Sequence, residues 1–306
     1  MRTVIMTGAT SFLGQNLLQK LLSKGYKVYA LVRKSSPSLG NLPQGEHLQL
    51  IYGSLSELDS IKEYVDSADY FIHFGWDGSG YAGRANRDIQ QTNVIYSMNA
   101  LKLADELGCK KFIFSGSQAE YGIIHSSINE TTVSNPVSEY GKAKLEFAQK
   151  ANLFCEGRQI SFIHLRIFSV YGQGDRDGTL INLCIQKFNM GEKMVMGPCR
   201  QKWNYLYIED FSRIILLLIE KDVDTGIYIV AGAETRMLRE FVEEIYGLSN
   251  KSGTFEFGEA TENPEGSPEL DPCIDKIKEL LQIDEMTPFK EGIKNIMRLS
   301  GMEVKE

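Results

Sequence analysis

Short apolar runs alternate with longer amphipathic stretches over residues 3–167, and that alternation restricts the chain to a sheet built through helical crossovers. Thr3–Thr7, Lys27–Val32, Leu48–Tyr52, Tyr70–Phe74, Lys111–Ser115 and Ile160–Ile167 read as strands. The segments Phe12–Lys24, Ser56–Val65, Asn86–Leu107 and Val137–Phe154 read as helices between them. A strand, a tight turn, a helix and another strand open a parallel sheet. Beyond Tyr171 the pattern loosens, with glycines at 172, 174 and 178 before a helix Thr179–Met190. Asn204–Ile208 and Gly226–Val230 are strand-like around a helix Ile208–Glu220, and helices Ile274–Leu281 and Pro288–Met297 close the chain before a polar tail. Gly258–Pro272, rich in glycine, proline and acids, reads as an exposed loop.

A chain of 306 residues, 42% of them hydrophobic, has enough apolar surface for one large core or two unequal ones. Its net charge of -7 disfavours nucleic-acid binding, although a local basic pocket for a phosphorylated ligand survives that average. The five cysteines are widely spaced and contain no C-x-x-C, so they read as reduced, mostly packed residues of a cytoplasmic protein. The chain runs from Met1 straight into a strand, with no leader pattern, and no apolar run approaches the ~18 residues of a membrane span.

The turn T-G-A-T-S-F-L-G places Gly8 and Gly14 after the first strand. Gly8 permits the sharp turn and Gly14 a close helix, leaving backbone amides and the positive helix end for a pyrophosphate. Ser11 replaces the middle glycine, and its hydroxyl can itself donate to a phosphate. The second strand ends in A-L-V-R-K-S-S, without the acid that receives a ribose diol. Arg33, Lys34 and Ser35 offer positive charge and a hydroxyl that suit a 2'-phosphate instead, which favours NADP over NAD; the other reading is a solvated basic loop.

Tyr140 and Lys144 stand four apart in S-E-Y-G-K-A-K, on what the sequence predicts to be the first exposed turns of a helix. One helical turn brings phenol and ammonium onto one face, while Lys142, roughly 200° around from Tyr140, points away. A phenol is a poor proton shuttle at neutral pH until a fixed cation stabilises its phenolate, and lowering it by about 3 units takes about 4 kcal/mol. F-I-F-S-G-S-Q-A-E-Y-G puts Ser115 and Ser117 just after a central strand, at the carboxyl edge where open α/β sheets bind ligands. A ketone that gains hydride develops alkoxide charge, which Tyr140 and Ser117 together can relieve.

Other positions carry two readings. His73 is either beneath a cofactor diphosphate or a hydrogen-bonded core imidazole, and Arg166 is near a substrate or in a structural ion pair. Trp76 opens W-D-G-S-G-Y-A-G-R, a cover for the site or a surface turn. Lys193, Arg200, Gln201, Lys202 and Trp203 form a patch for a diphosphate and a stacked base, or a solvated face.

The glycine turn, Ser117, Y-G-K-A-K, V-Y-G-Q-G-D and W-N-Y-L-Y-I-E-D, in that order over residues 3–235, resemble the extended short-chain dehydrogenase/reductase family, in its nucleotide-sugar epimerase, dehydratase and ketoreductase branch. The resemblance implies an α/β fold: a Rossmann-type doubly wound parallel sheet, residues 1–170 completed by 204–232, with a smaller, mainly C-terminal α/β substrate domain, 171–203 and 233–306. It implies Tyr140 as proton donor or acceptor, Lys144 on the nicotinamide ribose and tuning Tyr140, and Ser117 holding the reacting oxygen. The implied cofactor contacts are Gly8, Thr10, Ser11, Phe12, Leu13, Gly14, Arg33, Lys34, Ser54, Leu55, Phe74, Gly75, Asn93, Ser115, Tyr140 and Lys144. The implied substrate contacts are Trp76, Ser117, Gln118, Ser169, Thr179, Arg200 and Trp203. Nicotinamide supplies the redox chemistry, so no metal is required. A homodimer through the helices 86–107 and 139–154 is implied as well.

Gln118 and Ala119 stand where dehydratases of this branch carry an Asp-Glu pair, which argues against 4,6-dehydration. Ser169, Trp203-Asn204 and Ser54 replace the branch's frequent asparagine, Arg-Asp and aspartate. The expected activity is C4 reduction of a nucleotide-linked 4-keto-6-deoxysugar, tilted that way by the NADP preference. The alternatives are a 4-epimerase working through a transient 4-ketone and a catalytically silent dinucleotide sensor or interaction protein.

Overall fold

A computed structural model describes residues 1–250, 252–258, 269–302 and 304. In chain order the elements are β1 Thr3–Thr7, α1 Phe12–Ser23, β2 Lys27–Val32, β3 Leu48–Tyr52, β4 Tyr70–His73, α2 Tyr81–Arg84, α3 Arg87–Glu106, β5 Lys111–Ser117, α4 Glu139–Cys155 and β6 Ser161–Ile167. They continue with β7 Ser169–Tyr171, α5 Leu180–Met190, β8 Lys193–Met196, β9 Lys202–Tyr207, α6 Ile208–Glu220, β10 Gly226–Val230, β11 Thr235–Met237, α7 Leu238–Leu248, β12 Thr254–Phe257, α8 Asp275–Leu281 and α9 Phe289–Leu299. Two compact units result: 1–122, 133–167 and 212–228 in the first, and 123–132, 168–211 and 229–306 in the second.

The main sheet has the order β10-β6-β5-β4-β1-β2-β3, and its ladders from β3 through β6 are all parallel. This is the expected doubly wound sheet. Winding reverses between β1 and β4, the place where such sheets leave a crevice beyond their carboxyl ends. The first unit's core is aromatic: Phe71, Phe112, Phe114, Phe147 and Phe162 are fully buried, with the Phe114 and Phe147 centroids 4.5 Å apart. Helix α1 turns Leu17, Leu18 and Leu21, all buried, onto the sheet, each contributing about 1.5–3 kcal/mol.

Lys111 opens β5 with its side chain buried, and its ammonium donates to the carbonyls of Leu218 at 2.8 Å, Ile219 at 3.0 Å and Lys221. These are carbonyls that the end of α6 leaves without intrahelical partners. The expected helix Ser56–Val65 is instead a 3-10 stretch Leu55–Glu63, kinked at Glu57 (φ -118°, ψ 30°), with the Glu57 carboxylate turned back to accept the Ser54 N–H at 2.9 Å.

In the second unit β7 runs parallel to β9, β9 antiparallel to β11, and β8 parallel to β12. Tyr171, Tyr205, Phe241 and Phe289 interlock there, the last two with centroids 4.7 Å apart. The strands β7, β8, β11 and β12, of three or four residues each, and the helix α7 were not expected from the sequence. Of the expected loop Gly258–Pro272, residues 259–268 lie outside the described residues, as does most of the tail beyond 302. No helix among the described residues is long and apolar enough to cross a membrane.

Candidate functional site

Beyond β1, Gly8 adopts φ +74°, and a Cβ there would stand 2.5 Å from the Phe74 carbonyl carbon and 2.6 Å from the Gly75 nitrogen. A Cβ on Gly14 would overlap the Gly8 carbonyl oxygen. Both glycines are therefore sterically required. Ser11 caps the twelve-residue α1, its hydroxyl accepting the Gly14 N–H at 3.1 Å while the Thr10 carbonyl accepts from Gln15 at 2.8 Å. The Phe12 and Leu13 amides keep no acceptor among the described residues. A glycine cradle at the first turn of a helix, with two amides left over, fits a dinucleotide pyrophosphate.

The chain leaving β4 is pinned on both sides. Thr7 Oγ1 accepts the Gly75 N–H at 3.1 Å and lies 2.9 Å from His73 Nδ1, while His73 Nε2 lies 2.9 Å from Ser97 Oγ. Burial, and then the nearby Lys144 charge, push His73 down to about 3, so it is a neutral core imidazole. A Cβ on Gly75 would meet Leu55 Cδ2 at 2.9 Å and Thr7 Oγ1 at 3.0 Å. From α3, buried Asn93 accepts the Asp77 N–H at 2.9 Å and donates to the Asp77 carbonyl at 2.8 Å. Gln90 donates to the carbonyls of Gly78 and Gly83 and accepts the Trp76 indole N–H at 2.8 Å. Sequence reasoning missed Gln90, which stands one helical turn from Asn93.

At the end of β5 and the start of α4 the expected pair comes together. Tyr140 is half-buried, but Lys144 is only 1% exposed, where the sequence suggested an exposed turn. Its ammonium donates to the Ser115 carbonyl at 2.5 Å and lies 3.8, 4.6 and 5.5 Å from the ring centroids of Trp76, Phe114 and Tyr140. Trp76 meets Tyr140 edge-on at 6.2 Å, and the Arg84 guanidinium covers Tyr140 at 4.3 Å. Burial pushes Lys144 down to about 7, against the attraction of the Glu120 carboxylate. Ser117 is 9% exposed, and its hydroxyl accepts the Ala119 N–H at 3.2 Å. The 3-10 turn that follows, Gln118–Glu120, touches α4 so closely that a Cβ on Gly141 would stand 2.5 Å from the Ala119 carbonyl oxygen. Lys142 is exposed and pairs with Glu139 at 2.7 Å, as the helical geometry required.

Four expected substrate contacts belong to the second unit. Ser169 pairs in register with Tyr205, Thr179 precedes α5 and donates its hydroxyl to the Arg176 carbonyl at 3.1 Å rather than capping the helix, Arg200 is exposed, and Trp203 is partly exposed on β9. The basic patch expected around them is largely neutralised, since Lys193 pairs with Glu256 at 2.6 Å and Lys202 with Asp271 at 2.9 Å.

Residues 4–231 match the profile of the NAD dependent epimerase/dehydratase family. The chain belongs to that family. It is 26% identical over 269 residues to a CDP-abequose synthase of Salmonella muenchen, covering 84% of each chain. An uncharacterized UDP-glucose epimerase of Bacillus subtilis is 25% identical over 310 residues, with 95% of this chain and 96% of the relative covered. Among solved structures, the UDP-N-acetylglucosamine 4-epimerase of Methanobrevibacter ruminantium matches with a TM-score of 0.87 and 23% identity, over 98% of this chain and 99% of that one. This member of the NAD dependent epimerase/dehydratase family shares the fold of that solved structure over nearly its whole length.

The family context corrects the expected NADP preference. A similar UDP-glucuronic acid 4-epimerase of Bacillus cereus (TM-score 0.81, 20% identity, 97% of each chain) and a dTDP-glucose 4,6-dehydratase of Bacillus anthracis (TM-score 0.81, 17% identity, 98% and 97%) were solved with NAD. In this enzyme the Arg33 guanidinium is already paired with Asp77 at 3.0 Å, and the Lys34 ammonium lies 5.6 Å from the Tyr52 ring centroid. Ser54, at the expected adenine end, is tied to Glu57 and to Ser56, its Oγ lying 2.7 Å from that of Ser56.

Proposed function

We propose that the enzyme is a nucleotide-sugar 4-epimerase that works through a transient 4-ketone on a nicotinamide cofactor held at the Gly8–Gly14 turn. The observation that carries this reading is Lys144, buried at the start of α4 with its ammonium 5.5 Å from the Tyr140 ring centroid, at the carboxyl edge beside the reversal of the sheet. A nicotinamide there supplies reversible hydride exchange with the sugar carbon. Tyr140, held as a phenolate by the Lys144 charge, takes the proton of the sugar hydroxyl, keeps it as a phenol while the ketone exists, and then returns it to the sugar oxygen. The Ser117 hydroxyl donates to the same sugar oxygen as its charge develops. The glycine turn and the amides of Phe12 and Leu13 hold the cofactor pyrophosphate, and the loop from Gly75 to Asp77, fixed by Asn93, borders it.

C4 reduction drew its weight from an expected NADP preference, and the similar structures solved with NAD remove that weight. Relatives and similar structures named as epimerases support the redox-neutral reading. The exposed apolar residues Ile95 on α3 (60%) and Leu153 on α4 (69%) support a homodimer through these helices, which light scattering tests.

The deciding experiment incubates the enzyme with NAD and a panel of UDP-, dTDP- and CDP-hexoses. An epimerase interconverts two sugars with no net change in absorbance of the reduced cofactor. Stoichiometric consumption of NADH or NADPH with 4-ketosugars identifies a reductase instead. Tyr140→Phe is expected to lower turnover by about 10²–10⁴-fold while leaving NAD affinity intact. Unchanged turnover in that variant removes Tyr140 from the mechanism.

A further inference from the structure

Glu120 is buried directly behind the site, and neither the family reading nor the chemistry above uses it. Its side chain is fully inaccessible, as are His164 and Arg166 of β6 to within 2%. Oε1 accepts the Ser117 backbone N–H at 2.8 Å, and His164 Nε2 lies 3.1 Å from Oε1 and 2.9 Å from Oε2. Arg166 Nε stands 3.5 Å from Oε2, its Nη2 donates to Ser134 Oγ at 2.7 Å, and its plane rests 4.1 Å from the Tyr121 ring centroid. His164 Nδ1 has no partner among the described residues. Arg166 is a cation that stands against the carboxylate. Burial opposes that charge, but His164, Arg166 and the Ser117 amide outweigh it and hold Glu120 below the usual carboxylate range.

A buried ion pair of this kind is weak evidence for stability, because desolvating both partners offsets their attraction. Its placement is more informative. Three consecutive residues of β5 lie against it: Ser115, whose carbonyl accepts from Lys144; Gly116, where a Cβ would stand 2.5 Å from His164 Nε2 and 2.6 Å from Glu120 Oε1; and Ser117, whose amide Glu120 holds. The titratable or charged groups facing Lys144 are Tyr140 on its own helix, neutral His73 from β4 and Glu120 from the turn after β5. Arg84 of α2 covers Tyr140 on the same side of the site. Glu120 is the one acid in that set.

We infer that Glu120 is a positioning residue: its carboxylate, balanced by Arg166 and oriented by His164, seats the Ser115–Ser117 strand end and supplies the negative potential that keeps the Lys144 ammonium charged. The inference rests on the roles proposed above for Tyr140, Lys144 and Ser117.

Glu120→Gln keeps the size and the acceptor for Ser117 but removes the charge. Its test is the titration of Lys144 in the whole protein, followed by NMR on lysine labelled with carbon-13 at Cε and assigned by loss of the signal in Lys144→Met. The midpoint is expected to fall by at least about half a pH unit in Glu120→Gln, since a carboxylate nearby favours the charged lysine. The pH profile of kcat/KM moves in the same direction, and KM for the nucleotide sugar stays the same. Should the uncompensated Arg166 prevent folding, Glu120→Gln with Arg166→Met removes both charges and is expected to lower the midpoint as well. An unmoved Lys144 midpoint in the folded variant overturns the inference. A shifted midpoint in an enzyme that converts no nucleotide sugar upholds the coupling and overturns the proposed function, so the two failures are separable.

Discussion

Lys144→Met should make the enzyme more stable and inactive at once. The fall of Lys144 from 10.5 to about 7 on folding, at about 1.4 kcal/mol per pH unit, corresponds to at most about 5 kcal/mol lost at acid pH. Methionine removes that penalty but forfeits the bond to the Ser115 carbonyl and the faces of Trp76 and Phe114, together about 2–4 kcal/mol. A net gain of about 1–3 kcal/mol is therefore expected at about pH 6. The sign depends on pH. Because the folded value is lowered, the penalty is whole below about pH 7 and drains away as the pH rises toward 10.5, where the unfolded lysine also loses its proton. About 3 kcal/mol of it disappears between about pH 6 and pH 9, so the variant's advantage shrinks or reverses over that range. Urea unfolding in a Trp203→Phe background leaves Trp76, one of two tryptophans and a residue of the first unit, as the reporter. A variant less stable than its parent at the lower pH, or a difference that does not change with pH, refutes the reasoning.

Lys111→Met strips three carbonyls at the end of α6 of their donor, and a loss of about 2–4 kcal/mol is expected in urea unfolding, with activity per folded molecule preserved. Gly8→Ala forces a Cβ against the Phe74–Gly75 backbone at φ +74°, so NAD affinity measured by calorimetry should fall by at least about tenfold. Asn93→Leu releases both backbone groups of Asp77 and should raise the Kd for NAD while leaving the unfolding midpoint of the second unit, read by Trp203 fluorescence in a Trp76→Phe background, where it was. Arg33→Ala removes one exposed ion pair, and stability should change by less than about 1 kcal/mol with no change in the ratio of NAD to NADP affinity.

The elements legible in the sequence are those with long, repeated patterns. Strands β1, β2 and β3 have the expected bounds because each is a short apolar run closed by a turn, and α3 begins after Asn86 because Asn86 accepts the Ile89 N–H. Strands β7, β8, β11 and β12 carry three or four residues each, too few to show a period. Helix α7 is different: Leu238, Phe241, Val242 and Ile245, all buried, form a helical apolar series, so its signal was in the chain. Tyr140 and Lys144 were legible as a pair from spacing alone. The burial of Lys144 was not, since E-Y-G-K-A-K is polar by composition and only its contact with β5 and the Trp76 loop removes the lysine from water. The ion pair that occupies Arg33 joins residues 44 apart, and no local pattern announces it.

The buried polar groups of the first unit divide by what they hold. Lys111, at the amino end of β5, caps a helix and needs only its charge and three carbonyls. At the carboxyl ends of β4 and β5, His73 is neutral and shared between two hydroxyls, Lys144 sits near its neutral point, and Glu120 is held ionised. Three ionisable groups around one strand end are thus kept in three different protonation regimes. A stable core gains nothing from that difference, because apolar side chains would fill the same volume without desolvation. The proton transfer proposed for Tyr140 would gain from it: a charge that can be adjusted at Lys144, a carboxylate placed to adjust it, and a neutral imidazole that adds no competing cation. The aromatic layer of Phe112, Phe114, Phe147 and Phe162 keeps water from screening those charges, which makes the core itself part of the electrostatics of the site.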